Sequence, residues 1–276
     1  MERSLRMKLL LRAAILASWP FACAAALSED VPFVVTPDNV TLAMLNLAKV
    51  GPEDYVIDLG SGDGRIVITA AKRFGARGLG VEIVPDLVEK SRATAAAAGV
   101  AQRAHFREQD LFQADLSPAS VITMYLLPEV NLQLRPKLMH LRPGTRIVSH
   151  DWDLGDWEPD KTVVVDVPDK AIGREKLSRV HLWVVPARVD GAWCGTGKFK
   201  GVSMRIDQSF QKFAGTLNDA SGAREFAGKI TADVLRAPPG LTMSFDGAKL
   251  KMSYTTGKYS ALRGATFARQ RGQTCK

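Results

Sequence analysis

The stretch VIDLGSGDGRIV, residues 56–67, decides the fold of this chain. It opens with an aliphatic run, which predicts a buried strand, and glycines then break the run before a helical pattern begins. A glycine-rich turn between a strand and a helix presents bare backbone N–H groups at the helix N-terminus. The sequence therefore predicts a ligand site in the first β-α turn of a doubly wound sheet. This turn contains Gly60, Ser61, Gly62 and Gly64.

Strands and helices alternate on both sides of this stretch. The predicted strands are residues 55–59, 79–84, 105–111, 120–127 and 145–151, followed by an antiparallel pair at 163–167 and 180–186. The predicted helices are one beginning near residue 38, capped by Thr36 or Asp38, and those at 64–74, 85–98 and 128–139. Repeated β-α units with continuous aliphatic strands predict a parallel sheet covered by helices on both faces.

The pattern changes near residue 188 to short alternating strands. VSMRIDQSF, residues 202–210, places Met204 and Ile206 on one face and Arg205 and Asp207 on the other. Similar segments follow, separated by turn residues: FAGTL, FAGKITADVL, LTMSFDG, KLKMSY and LRGATFAR. This pattern predicts a small antiparallel all-β domain, a barrel or a sandwich. We therefore expect an α/β domain over residues 27–187 and a β domain over residues 188–276.

Charge is distributed unevenly between these two predicted domains. Residues 27–187 contain 18 basic and 22 acidic side chains, whereas residues 188–276 contain 15 basic and six acidic ones. The asymmetry suggests that the β domain faces an anionic partner such as membrane headgroups, cell-wall polymer or nucleic acid. A basic surface that only keeps the protein soluble is the alternative.

Residues 1–26 have the pattern of a signal peptide. A basic start precedes an apolar run from Ala13 to about Phe21, and small residues then fit an A-x-A cleavage site. We expect export to the periplasm, with an uncleaved membrane anchor or a cytosolic helix as alternatives. Removal of this segment leaves Cys194 and Cys275, which form a disulfide in an oxidising compartment or remain two free thiols.

Acidic residues at the predicted strand ends indicate which ligand the glycine turn holds. Asp58 and Asp63 would repel a pyrophosphate, but they suit a ligand that carries an ammonium and a sulfonium. Glu82 ends the second strand, where it can accept both ribose hydroxyls. Asp110, followed by Leu111, ends the third and can accept from the adenine amine. This set predicts S-adenosyl-L-methionine (SAM) as the cofactor. Taken singly, Asp63 also fits a helix cap, Glu82 a solvated strand end and Asp110 a turn acid.

The chain resembles the seven-β-strand methyltransferases. The resemblance spans roughly residues 31–185 and is carried by VPFVVTP, VIDLGSGDGRIVITAAKRFGARGLGVEI, YLLPEVNLQLRPKL and GTRIVSHDWDLGDWEPD. More narrowly, these residues are similar to mitochondrial lysine methyltransferases that act on the ATP synthase c subunit and the adenine nucleotide translocase. The resemblance implies a Rossmann-like seven-stranded sheet, methyl transfer to a protein lysine, and a lid that includes Val34, Thr36 and Pro37. It does not cover the β domain.

Residues after the fourth and fifth predicted strands are candidates for the acceptor side. We expect Tyr125 and Glu129 to orient or polarise the acceptor amine, although Glu129 also fits a first-turn helix acid. His150 and Asp151 end the next strand and face the same region. A metal role for His150 is disfavoured, because no second ligand has the required spacing. Trp152 and Trp157 line the site wall or pack in the core.

These observations predict a SAM-dependent methyltransferase acting on a lysine of a membrane or envelope protein, with no nucleic-acid partner. One alternative is an exported binding protein that keeps the fold without turnover, since SAM is made in the cytosol. Another is a small-molecule or lipid methyltransferase whose basic domain sits on headgroups.

Overall fold

The computed structural model describes residues 34–170, 175–270 and 275. The expected signal segment, residues 1–26, lies outside the described residues. Among the described residues, no helix combines the length and apolar character needed to cross a bilayer.

The first part of the chain folds into a seven-stranded sheet with helices. Its elements are α1 (Asp38–Leu47), β1 (Tyr55–Leu59), α2 (Arg65–Phe74), β2 (Arg77–Glu82), α3 (Pro85–Ala97), β3 (Ala104–Glu108), β4 (Val121–Met124), α4 (Pro128–Leu138), β5 (Arg146–His150), β6 (Lys161–Asp166) and β7 (Leu177–Val184). The strand order is β3-β2-β1-β4-β5-β7-β6. Neighbours among β1–β5 pair in parallel, and β7 pairs antiparallel to both β5 and β6. The predicted fold class is confirmed.

Alternation along the buried strands explains why helices cover both faces. On β1, Val56 packs in one apolar cluster with Met44 of α1 and Ala70 of α2. Its neighbour Ile57 packs in a second cluster on the other face, together with Leu134 of α4. Successive side chains of a strand point to opposite faces, so a continuous aliphatic strand needs a helical layer on each side.

Several sequence-based details of this sheet were wrong. Strand β2 ends at Glu82 and not at residue 84, and β7 begins at Leu177 and not at residue 180. The third and fourth strands end at Glu108 and Met124, earlier than predicted. The third ends early because the chain turns at Asp110, whose Oδ1 accepts a hydrogen bond from the Phe112 N–H at 2.8 Å. Neither Thr36 nor Asp38 caps α1, because Pro37 occupies the N-cap position without a side-chain hydrogen bond.

The last third of the chain forms a closed antiparallel barrel. Its strands are β8 (Gly191–Gly195), β9 (Ser203–Ser209), β10 (Lys212–Asp219), β11 (Gly222–Thr231), β12 (Val234–Ala237), β13 (Leu241–Phe245), β14 (Lys249–Thr255) and β15 (Thr266–Arg269). The order β10-β11-β12-β13-β14-β15-β8-β9 closes through the β9–β10 pair. As predicted, Met204 and Ile206 are buried inside while Arg205 and Asp207 are exposed. Residues 226–235 were read as one strand, but they contain a turn at Ala232, whose φ is 53°.

A disulfide joins Cys194 in β8 to Cys275. It bridges 81 residues of sequence and links the first strand of the barrel to the end of the chain. The free-thiol alternative is therefore excluded in this structure.

The barrel lies at the sheet edge where the parallel strands begin, which we call the amino edge. Phe210, in the β9–β10 turn, stacks on Trp157 with ring centroids 6.0 Å apart. The next residue, Gln211, donates to the backbone oxygen of Glu158 at 2.7 Å, and Ala232 lies against Gly144, just before β5. The sheet and the barrel belong to one compact unit, and the boundary at residue 187 stays a prediction.

Candidate functional site

The glycine turn after β1 is held in place by its own backbone. The N–H groups of Gly60 and Ser61 both donate to the Val81 carbonyl, at 2.9 and 3.0 Å, which ties the turn to β2. These two N–H groups, predicted to be bare, are thus bonded within the protein. Gly64 has a φ of 78°, and a Cβ added there would lie 2.6 Å from the Phe106 ring, so only glycine fits this position without displacing its neighbours. The Ser61 side chain is buried against Gly80 of β2.

Asp58 is a buried carboxyl at the end of β1, only 2% exposed. The Thr123 hydroxyl donates to its Oδ1 at 2.6 Å. Burial, and secondarily the nearby carboxylates of Glu82 and Asp63, raise the pKa of Asp58 to about 8. A buried carboxyl beside two other acids is strongly stabilised by a cation, because the cation favours the ionised form. Asp58 therefore suits a positively charged ligand group.

Glu82 lies at the end of β2 and holds the glycine turn in place. Its Oε2 accepts from the Gly62 N–H at 2.8 Å, and its Oε1 accepts from the N–H groups of Ile83 and Val84 at 2.8 and 3.1 Å. The side chain is buried, so the solvated strand-end alternative does not apply. A carboxylate oxygen accepts more than one hydrogen bond, which leaves capacity for ligand hydroxyls.

Asp63 is engaged by a cation of the protein itself. The Arg65 guanidinium contacts Asp63 Oδ2 at 2.6 Å. Burial alone would raise the pKa of Asp63, but the pairing with Arg65 outweighs it, and the pKa lies below its ordinary value. The helix-cap alternative is weak, because the Arg65 N–H to Asp63 Oδ1 distance is 3.3 Å and Gly64 occupies the N-cap position. The predicted role of Asp63 toward the cofactor therefore stays a prediction, for a carboxylate that is paired with Arg65 in this structure.

Arg65 has a second role that sequence reasoning missed. Its Nη1 donates to the Thr36 carbonyl at 3.0 Å and lies 3.4 Å from the Asp38 carboxylate. It thus ties the segment before α1 to the glycine turn. The sequence carries no signal for this contact, since Thr36 is 29 residues away.

Asp110 and Leu111 lie beside these residues because β3 is the neighbour of β2. The Gln109 N–H donates to the Glu82 carbonyl at 2.9 Å, which aligns the ends of the two strands. Both Asp110 and Leu111 are partly exposed. The structure therefore brings the predicted cofactor residues together at the carboxyl edge, where the parallel strands end. Their individual roles stay predictions.

Tyr125 and Glu129 differ in how they are placed. Tyr125 directly follows β4 and is half-buried, with its ring centroid 3.9 Å from that of His150. Burial and the Asp151 charge raise the pKa of Tyr125, so its hydroxyl stays protonated at neutral pH. Glu129 is exposed in the first turn of α4, as its helix-acid alternative predicts.

His150 lies in a buried network behind Tyr125. Its Nε2 is 2.8 Å from the Ser178 hydroxyl and its Nδ1 is 3.5 Å from the Thr36 hydroxyl. Burial lowers the pKa of His150 to about 4, so the imidazole is neutral at physiological pH. The Asp151 carboxylate accepts from the Arg179 N–H, contacts Lys170 Nζ at 2.7 Å and lies 3.5 Å from His150 Nε2.

The two tryptophans after β5 have different environments. Trp157 is fully buried between Phe210 and Trp183, which is the core-packing alternative, whereas Trp152 is 44% exposed. The Asn131 amide of α4 is buried and donates to the carbonyls of Trp152 and Asp153. Within the described residues, no group of three or more His, Cys, Asp or Glu side chains is arranged to hold a metal ion.

These residues fit SAM by their chemistry. The buried Asp58 carboxyl can balance a cationic ligand, and Glu82 and Asp110 lie at or just after the ends of β2 and β3, on one side of β1. The acceptor side, with Tyr125 on β4, adjoins this region because β4 is the other neighbour of β1.

Comparison with known proteins identifies the same region. Residues 58–161 match the family model of the ANTKMT methyltransferase domain. A protein-lysine N-methyltransferase from Saccharolobus islandicus is 45% identical over 138 residues, which is 49% of this chain and 86% of that protein. The mouse lysine N-methyltransferase of the ATP synthase c subunit is 34% identical over 146 residues, which is 52% of this chain but only 58% of the mouse enzyme.

A solved structure matches as well. A Salinibacter ruber protein described as an RNA methyltransferase, in complex with S-adenosyl-L-homocysteine, is 52% identical with a TM-score of 0.51. The match covers 56% of this chain and 96% of that one.

Proposed function

The chain belongs to the SAM-dependent methyltransferase family that carries the ANTKMT methyltransferase domain, and we propose that it methylates a lysine of a membrane or envelope protein. SAM supplies an electrophilic methyl group on a sulfonium. The chain's own residues bind that cofactor, exclude water and orient the amine. Because in-line approach is required, positioning accounts for most of the rate.

In the ligand-free protein the raised pKa keeps Asp58 protonated at neutral pH, and a bound cation favours the ionised form of this carboxyl. Ionised Asp58 balances the positive charge of the ligand, while Thr123 holds that carboxylate in one orientation. Glu82 keeps the glycine turn open and directs its remaining acceptor capacity outward. The Asp63–Arg65 pair is already neutralised, so it contributes to the shape of the turn rather than to charge.

On the acceptor side, Tyr125 is the residue placed to orient an amine. Its protonated hydroxyl can accept a hydrogen bond from a neutral lysine, and neutral His150 supports the ring from behind. A lysine entering this half-buried position leaves water, which favours its neutral, nucleophilic form.

The observation that carries the membrane assignment is an exposed apolar rim. Of the nine large hydrophobic side chains exposed in the described part of the chain, seven lie around the carboxyl edge of the sheet. They are Val35, Ile83, Val84, Phe112, Leu127, Leu132 and Trp152. Ile83, Val84 and Phe112 follow β2 and β3 on the cofactor side; Leu127 and Trp152 follow β4 and β5 on the acceptor side. Exposed apolar patches mark surfaces that contact apolar partners.

A test is transfer of labelled methyl from SAM into a membrane fraction, comparing the native chain with Leu127→Ser and Trp152→Ser. We expect the label on a lysine of a membrane protein, and at least a tenfold loss in these variants with unchanged SAM affinity. The control variant is Val164→Ser, at an exposed apolar residue on β6. An equal loss in the rim variants and in this control would exclude the rim as the acceptor surface.

RNA is a second candidate acceptor, favoured by the description of the Salinibacter ruber protein. Against it, residues 27–187 carry more acidic than basic side chains, which disfavours a phosphate backbone. The same labelling assay separates the candidates, because label in RNA is removed by ribonuclease and label in protein by protease.

We further propose export of the chain, with an uncleaved anchor as the alternative. The Cys194–Cys275 bridge supports an oxidising compartment. Cell fractionation with N-terminal sequencing tests this proposal. A mature N-terminus near residue 27 in the periplasm is expected, and an intact Met1 in the cytosol would contradict it.

A further inference from the structure

The barrel exposes a cluster of basic side chains at its distal end, the end away from the sheet. Two connections meet there, because Thr196, after β8, pairs with Thr266 at the start of β15 through their hydroxyls at 2.6 Å. These connections expose Lys198, Lys200, Lys258 and Arg263, which we call the basic tip. The methyl-transfer site lies at the opposite edge of the sheet, so its chemistry does not use these residues.

The two connections repeat one local structure. Residues 196–199 read Thr-Gly-Lys-Phe and residues 256–259 read Thr-Gly-Lys-Tyr. Each tetrapeptide opens a short 3₁₀ helix, Gly197–Phe199 in one case and Gly257–Leu262 in the other. In each, the lysine Nζ lies 5.1 Å from the ring of the following aromatic residue. The repeat therefore presents two lysines in the same manner on one end of the barrel.

The positive charge of the basic tip is not balanced by nearby carboxylates. Neither connection contains an acidic residue. On the neighbouring hairpin, Asp219 is paired with Arg224, so it is not available to the tip. Glu225 is the exposed acid at the margin, and Lys258 Nζ contacts its backbone oxygen at 3.2 Å. Among the described residues, no ion pair involves any of the four tip cations, and they therefore remain available to an external anion.

The residue types at this end favour the headgroup layer of a membrane. The tip is one end of the closed barrel, where the β8–β9 and β14–β15 connections lie. Tyr254, near the distal end of β14, is 54% exposed beside it. Tyrosine and lysine together are typical of the headgroup level of a membrane. Single-stranded nucleic acid would instead require several aromatic platforms along a basic groove.

We propose that the basic tip binds the phosphate headgroups of anionic lipids and so holds the enzyme at a membrane surface. Each lysine or arginine close to such a surface strengthens binding about fivefold. This docking does not depend on which acceptor is methylated.

The test is sedimentation of the full chain with vesicles of phosphatidylcholine alone or with phosphatidylglycerol added. We expect binding only to the anionic vesicles, weakened by salt. Lys198→Gln with Lys258→Gln should weaken it at least tenfold, given about fivefold for each cation. The matched control is Lys229→Gln with Lys249→Gln, two exposed lysines on the barrel wall near the sheet. SAM affinity, unchanged in all variants, shows that they fold.

Three results would overturn the proposal. The first is no binding to anionic vesicles. The second is equal weakening in the tip and wall variants, which would indicate general charge attraction or binding through another segment. The third is tighter binding of the tip to single-stranded RNA than to the anionic vesicles, which would assign the surface to nucleic acid.

Discussion

At the scale of single residues, the site depends on how charge is compensated around one buried carboxyl. Asp58 is close to two other acids, Glu82 and Asp63, and the Thr123 hydroxyl donates to its side chain. Asp63 already has its cation in Arg65. We therefore expect a cationic cofactor to balance Asp58 and not Asp63, a distinction that sequence reasoning did not make.

The raised pKa of Asp58, about 8 against an ordinary 3.8, predicts a pH-dependent affinity for SAM. In the native state Asp58 keeps its proton up to about pH 8, whereas in the unfolded chain it loses the proton above about pH 4. The stability of the ligand-free protein therefore falls as the pH rises from about 4 to about 8. Cofactor binding requires the ionised form, so affinity should rise up to about tenfold per pH unit from pH 6 to 8 and then level off. Calorimetric titration checks this, with Asp58→Asn expected to bind weakly and without this pH dependence. An equally flat profile in the native chain would contradict the role of Asp58.

Arg65→Ala should destabilise the protein by about 1–3 kcal/mol, since it leaves the half-buried Asp63 carboxylate without its partner. Urea unfolding measures the change. Arg65→Ala combined with Asp63→Ala should be less destabilised than the sum of the single variants, because the unpaired charge is then absent. Strict additivity would show that the pair does not stabilise the turn.

At the scale of elements, local pattern predicted most of the sheet. The bounds of β1 were predicted correctly, because a turn precedes this strand and the glycine run follows it directly. The third and fourth strands were extended too far, because Asp110 closes a turn through its own side chain and residues 125–127 stay apolar beyond the strand. Closure of the barrel was not predictable, because it depends on β8 pairing with both β9 and the distant β15. The Arg65–Thr36 contact was missed for the same reason: it joins elements far apart in sequence.

Gly64→Ala tests whether the glycine turn is sterically required. An added Cβ would meet the Phe106 ring and Ser91 at 2.6–2.8 Å in a left-handed conformation, so we expect about 2–4 kcal/mol of destabilisation and weaker SAM binding. Gly99→Ala is the matched control. Gly99 is also left-handed but has nothing within 4 Å of an added Cβ, and only the conformational part, about 1 kcal/mol, should remain. Similar losses of stability in both variants would rule out crowding at the turn.

At the scale of the whole molecule, the predicted methyl-transfer site and the basic tip lie at opposite ends. The cofactor and acceptor residues lie at the carboxyl edge of the sheet, while the barrel is packed on the amino edge through Phe210, Gln211 and Ala232. The barrel is closed on itself and carries most of the excess positive charge. It can therefore bind a partner without altering the catalytic site.

Removing the disulfide should destabilise the barrel. With Cys194 and Cys275 separated by 81 positions in sequence, the bridge is expected to contribute about 4 kcal/mol by limiting the unfolded chain. Cys194→Ser with Cys275→Ser should unfold at lower urea concentration than the native chain. The native chain in reductant should match the variant. An unchanged midpoint in reductant would show that the bridge does not stabilise the fold.

Transfer of methyl groups from SAM to protein lysine is tested most directly by mass spectrometry. A membrane extract is incubated with the purified chain and SAM carrying a heavy methyl group, with Asp58→Ala as the inactive control. We expect heavy methyl groups on lysine, present with the native chain and absent with the control. Heavy methyl groups only in RNA or lipid, or none in any fraction despite measurable SAM binding, would contradict it.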